Sequence, residues 1–73
     1  MGLLNIQLNG RQRSFAELTS PSALDRLISV LELKPDRIAV EHNGDIVSRI
    51  AWPTAMVHSG DKLEIVHFVG GGA

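Results

Sequence analysis

The chain has 73 residues, a formal net charge of −1 and no cysteine, so it reads as one small domain without disulfide staples, thiolate chemistry or cysteine metal sites. A domain of this size buries only about 60% of the surface its unfolded chain exposes, which argues for a carrier, adaptor or subunit over a self-sufficient enzyme. The near-neutral charge excludes a basic stripe for nucleic acid, no stretch approaches the ~20 apolar residues of a membrane span, and the expected location is the reducing cytoplasm.

Leu4, Ile6 and Leu8 alternate with Asn5, Gln7 and Asn9, the period of a half-buried strand. Asn9-Gly10 then supplies two residues that tolerate positive φ, and residues 12–15 read as the returning strand of a hairpin. Ser20-Pro21-Ser22 predicts a helix start, with Ser20 as N-cap and Pro21 at the first helical position, and Ser22 with Asp25 as a competing cap. Leu24, Leu27, Ile28 and Leu31 follow at helical spacing and leave Asp25, Arg26, Ser29 and Glu32 for solvent, with Val30 off the centre of the stripe. Lys34-Pro35-Asp36 is the expected stop.

Ile38 and Val40 open a third strand, Asn43-Gly44 marks a second hairpin, and Ile46 and Val47 begin a short fourth strand. Residues 48–57 carry no clear period; Trp52-Pro53 suggests a helical turn that brings Ala55, Met56 and Val57 into the core. After the turn Ser59-Gly60-Asp61, residues 62–69 form the last strand, with Leu63, Ile65 and His67 on one face and Val66 and Phe68 on the other. The expected architecture is α+β, a mixed sheet of four to five strands with one main helix packed across one face. It divides into a folded domain over residues 1–69 and a flexible glycine-rich tail over residues 70–73.

Gly70, Gly71 and Gly72 directly follow this apolar strand. Glycine loses more backbone entropy on ordering than any other residue, so three in a row do not stabilise a terminus. They do make it thin. At about 3.3–3.6 Å per residue, such a segment carries a carboxylate more than about 10 Å from the domain and through a channel that a Cβ would obstruct. A frayed terminus is the plain alternative. Elsewhere, His42, His58 and His67 have no metal-ligand spacing, and Asp25, Glu32, Glu41 and Glu64 form no recognisable acid–base pair. The serines lack a nucleophile-elbow context, and no phosphate-binding glycine loop is present. Trp52 reads as packing.

The run from Ile38 to Val47 and the run from Gly60 to Gly72, with the Asn-Gly hairpin, the Gly-Asp turn and the glycine end in place, resemble the ThiS sulfur carriers of thiamine thiazole biosynthesis, which have the ubiquitin-like β-grasp fold. The resemblance covers nearly the whole chain. It implies a carrier that is a substrate and has no catalytic residue of its own. A ThiF-like adenylyltransferase, using ATP and Mg²⁺, would activate the carboxylate of Gly72. A sulfur donor such as a cysteine desulfurase would convert the adenylate to a thiocarboxylate, and a ThiG-like thiazole synthase would receive the sulfur. Gly70, Gly71 and Gly72 would thread into the partner while Val66, Phe68 and Val69 dock against it. No metal, stably bound cofactor, nucleic acid or membrane is implied.

The chain departs from the family pattern at its end, Gly72-Ala73. Removal of Ala73, its being an addition to the natural chain, and direct use of its carboxylate are all open. The alternatives are a sulfur carrier for molybdopterin or another metabolite, or a ubiquitin-like protein modifier.

Overall fold

The structure is a computed structural model and describes residues 3–68. Its main sheet has five strands in the order β2 (Arg11–Phe15), β1 (Leu4–Leu8), β7 (Lys62–His67), β4 (Ile38–His42), β5 (Asp45–Val47). The hairpin of β1 and β2 turns at Asn9 and Gly10, both at positive φ. A second hairpin, β4 and β5, turns at Asn43 and Gly44 in the same way. The last strand, β7, lies between them, parallel to β1 and antiparallel to β4. One helix, α1 (Leu24–Val30), covers one face, and Leu24, Leu27 and Ile28 pack with Leu4, Ile6, Val40, Leu63 and Ile65 in a single core. Two hairpins, a crossing helix and a central last strand make a ubiquitin-like β-grasp, as expected.

The entry to α1 differs from expectation. Neither Ser20 nor Ser22 is the N-cap: the Ser20 hydroxyl accepts from Ser59 N–H at 2.9 Å, and Ser22–Ala23 forms a short strand, β3, paired with β6 (Met56–Val57) in a separate two-stranded sheet. The Ser22 hydroxyl donates to the Thr19 carbonyl at 2.5 Å. Ala23 takes the cap position with no side-chain hydrogen bond. The first helical amides are satisfied from another loop: Leu24 N–H donates to Ala55 O at 2.8 Å and Asp25 N–H to Trp52 O at 3.4 Å. Remote carbonyls thus fill the role that a serine or threonine fills at most helix starts.

The exit also comes early. Leu31 is the C-cap, and Glu32 follows at φ 61°. Glu32 N–H donates to Ser29 O, and Leu33 N–H to Ile28 O, which is a Schellman ending. Pro35 therefore stops nothing and instead opens a 3-10 turn, Pro35–Arg37. Between β5 and β6 a second 3-10 turn, Arg49–Ala51, leads to Trp52, which is buried and donates through Nε1 to Val47 O at 3.0 Å. Val57 is buried as expected, but Met56 is exposed, since alternate residues of a strand face opposite ways.

Candidate functional site: the root of the tail

The last described strand, β7, lies in the middle of the sheet. Leu63 and Ile65 fix β7 to the core under α1, and the intervening side chains point to the open face. There Val66 is 59% and Phe68 54% exposed, as their alternation predicts. Val66 lies opposite Ala39, and Glu64 opposite Glu41. Ile46, 76% exposed, is paired with Glu41 at the far edge of the same face. The patch is thus apolar beside the tail and acidic further down. His67 shares a face with Leu63 and Ile65 but is exposed.

Hydrogen bonding holds the root of the tail in line. Phe68 N–H donates to Arg37 O at 2.9 Å, which extends the β4·β7 ladder one step past the strand. On the other flank, Asn9 N–H donates to Leu63 O at 2.9 Å, and there β1 turns away. The Asn9 side chain continues in its place. Its Oδ1 accepts from Ile65 N–H at 2.7 Å and its Nδ2 donates to Ile65 O at 3.2 Å. One side-chain amide thereby stands in for a peptide group of a longer strand.

The start of β7 is fastened by Asp61. Its Oδ2 accepts from His58 N–H at 2.9 Å and lies 2.7 Å from His42 Nε2. A carboxylate only accepts, so that ring nitrogen carries the proton. Burial pushes the Asp61 carboxyl up, but the hydrogen bonds from His58, His42 and Asn43 and the charge of His42 outweigh it and hold the group below the ordinary carboxylate value. Asn43 Oδ1 accepts from Lys62 N–H at 2.8 Å. Sequence reading assigned no role to Asn9 or Asp61 beyond their turns, because the partners of Asn9 lie 56 positions away.

Among the described residues no group of three or more His, Cys, Asp or Glu side chains is arranged to hold a metal ion. No described helix is long and apolar enough to cross a membrane. Val69, Gly70, Gly71 and Gly72, expected to dock and thread, lie outside the described residues. The structure thus brings Val66 and Phe68 together at the tail's root and adds Asn9, Arg37 and the open flank of His67 to the site.

A family model described as "ThiS family" matches residues 6–72. The chain belongs to the ThiS family. A ThiS-family protein of Bacillus subtilis, named sulfur carrier protein ThiS, is 31% identical over 67 residues, covering 92% of this chain and 98% of that protein. A thiazole synthase of Paramagnetospirillum magneticum is 34% identical over 70 residues, covering 96% of this chain but 21% of that protein. The chain spans about a fifth of the length of the two thiazole synthases it matches. In structure, it resembles the crystal structure of thiamine biosynthesis protein ThiS from Geobacter metallireducens. The TM-score is 0.81 at 28% identity, over 94% of this chain and all of that one.

Proposed function

We propose that this ThiS-family chain is a sulfur carrier for thiamine thiazole formation, acting as a substrate of partner enzymes. The observation that carries this reading is the family match, which runs through all three glycines and stops at Gly72. In this reading hydrolysis of the Gly72–Ala73 peptide bond first removes Ala73, and a carboxylate oxygen of the newly terminal Gly72 then attacks the α-phosphorus of ATP in a ThiF-like adenylyltransferase, with Mg²⁺ on the phosphates and pyrophosphate leaving. Adenylation is needed because a free carboxylate is a poor electrophile. A sulfur nucleophile from a donor such as a cysteine desulfurase persulfide then attacks the acyl carbon and expels AMP. A thiol then attacks the S–S bond of the resulting acyl disulfide, so that the donor leaves as a mixed disulfide with that thiol and the chain keeps a thiocarboxylate, whose nucleophilic sulfur is handed on while still tethered. That two thiazole synthases contain a segment similar to nearly this whole chain supports a ThiG-like thiazole synthase as the acceptor.

In the same reading the globular body docks through Val66, Phe68 and Val69 while Gly70, Gly71 and Gly72 enter the partner; the exposure of Val66 and Phe68 supports that docking role. The test is the intact mass of the protein ending at Gly72 after incubation with the adenylyltransferase, ATP, Mg²⁺ and a sulfur source. Exchange of one oxygen for sulfur, located to Gly72 by fragmentation and lost on deleting residues 70–73, is the expected result. An unchanged mass overturns the reading. Conjugates to partner lysines would assign the chain instead to protein modification.

A further inference from the structure

The two flanks of β7 differ near the tail. Phe68 N–H bonds to Arg37 O, so residues 37 and 68 form a hydrogen-bonded antiparallel pair, and the Ile38–His67 pair next to it is of the non-bonded kind. The N–H and C=O of His67 therefore point away from β4, toward the flank that β1 occupies lower down. There Asp61 O and Leu63 O accept from Gln7 and Asn9, and the Asn9 side chain takes both main-chain groups of Ile65. The next step of the same row is His67, and among the described residues nothing meets its N–H or C=O.

His67 itself is exposed. The opening also lacks the devices that blunt the other two edges. β2 carries Arg11 and Arg13 along its length, and β5 is only three residues long and begins with Asp45. The β7 segment Ile65-Val66-His67-Phe68 has no lysine, acidic residue or proline, and it is bordered by the exposed Val66 and Phe68.

We propose that this open flank of β7, beginning at His67, receives an extended strand of the adenylyltransferase by main-chain pairing, with an apolar residue of that strand set beside Val66 and Phe68. The proposal rests on the carrier reading above. Pairing of this kind uses backbone groups for affinity and alternate side chains for specificity. Its effect here is directional: a strand paired at His67 runs alongside the outgoing chain, holds it extended and aims it along the partner's surface. The Asn9 amide acts as a stop that ends the internal ladder and leaves the next position vacant.

A chain of 73 residues without cysteine is open to total synthesis, so the main chain itself can be altered. N-methylation of the His67 amide removes the donor and crowds the open flank while leaving the hydrogen bonds to β4 in place. The expected result, read by calorimetric titration with the adenylyltransferase, is an affinity loss of about tenfold or more, from one lost hydrogen bond plus steric exclusion. His67→Ala, which keeps the main chain, stays within about threefold. Thermal unfolding reports whether the methylated chain is folded. Should it not be, replacement of that amide by an ester removes the donor without bulk, and a loss of about threefold or more is expected.

Equal affinity of the unmodified chain and a folded main-chain variant overturns the proposal, as does a loss no greater than that of His67→Ala. Self-association of the free protein that methylation abolishes also overturns it, by assigning the edge to a second copy. Failure of the unmodified chain to be adenylated at all is a different result and counts against the carrier reading.

Discussion

Asn9 does the work of two residues. At φ 50° it closes the first hairpin, and its amide makes both hydrogen bonds to Ile65. Asn9→Gly keeps the backbone freedom and deletes the clamp, so it is expected to cost about 1–3 kcal/mol in urea unfolding. Asn9→Asp keeps the acceptor for Ile65 N–H but sets a carboxylate against Ile65 O, and a loss of similar size is expected. If neither variant is destabilised, the amide does not secure β7. Asp61 gives a pH-dependent counterpart. Its folded-state pKa lies below the ordinary value, so its contribution is fully present above the unfolded value of about 3.9 and is lost as pH falls through the lower folded value. Asp61→Asn should therefore cost about 1 kcal/mol at neutral pH. The gap to the parent should close as pH falls below the ordinary carboxylate value and through the lower folded one, which paired denaturation curves across the acid range would measure.

At the scale of elements, the readable parts were those whose signal is local. Alternation in residues 4–8 and the two Asn-Gly pairs specify β1 and both hairpins, because φ > 0 at Asn9, Gly10, Asn43 and Gly44 is a property of those residues themselves. The same alternation in β7 places Val66 and Phe68 on the open face. What escaped depends on distant partners. Two-residue strands such as β3 and β6 have no period to read, and the α1 amides that bond to Ala55 and Trp52 replace a cap that the sequence placed in Ser20-Pro21-Ser22. The helix stop was hidden for another reason. Its left-handed residue is Glu32, where glycine or asparagine would have announced the ending. Glu32 is exposed, so Glu32→Gly should relieve the backbone and raise stability by about 0.5–1 kcal/mol. The same change within α1, at Ser29, should lower it. A stability loss for Glu32→Gly measured by thermal melting would mean that the acid makes a contribution beyond its conformation.

For the molecule as a whole, the question is whether folding and docking draw on the same residues. A domain of this length is expected to be stable by only about 4–11 kcal/mol, from roughly 0.05–0.15 kcal/mol per residue. Leu27 is fully buried among the core side chains, and Leu27→Ala should cost about 2–5 kcal/mol, a large part of that total. Val66 and Phe68 retain 59% and 54% exposure and stand outside the core cluster. Replacing both with serine should therefore change stability by no more than about 0.5 kcal/mol each. The same double variant should weaken binding to the adenylyltransferase by about tenfold or more, because exposed apolar side chains gathered on one face contribute when a partner covers them. Chemical denaturation and calorimetric titration of one preparation separate the two effects. A double-serine variant that unfolds readily would show the face to be part of the fold's own packing. One that stays folded and binds undiminished would leave recognition to the tail and the strand edge. The combination expected here, unchanged stability with weakened binding, follows from a sheet whose covered face holds the core while Val66 and Phe68 stand on the open one.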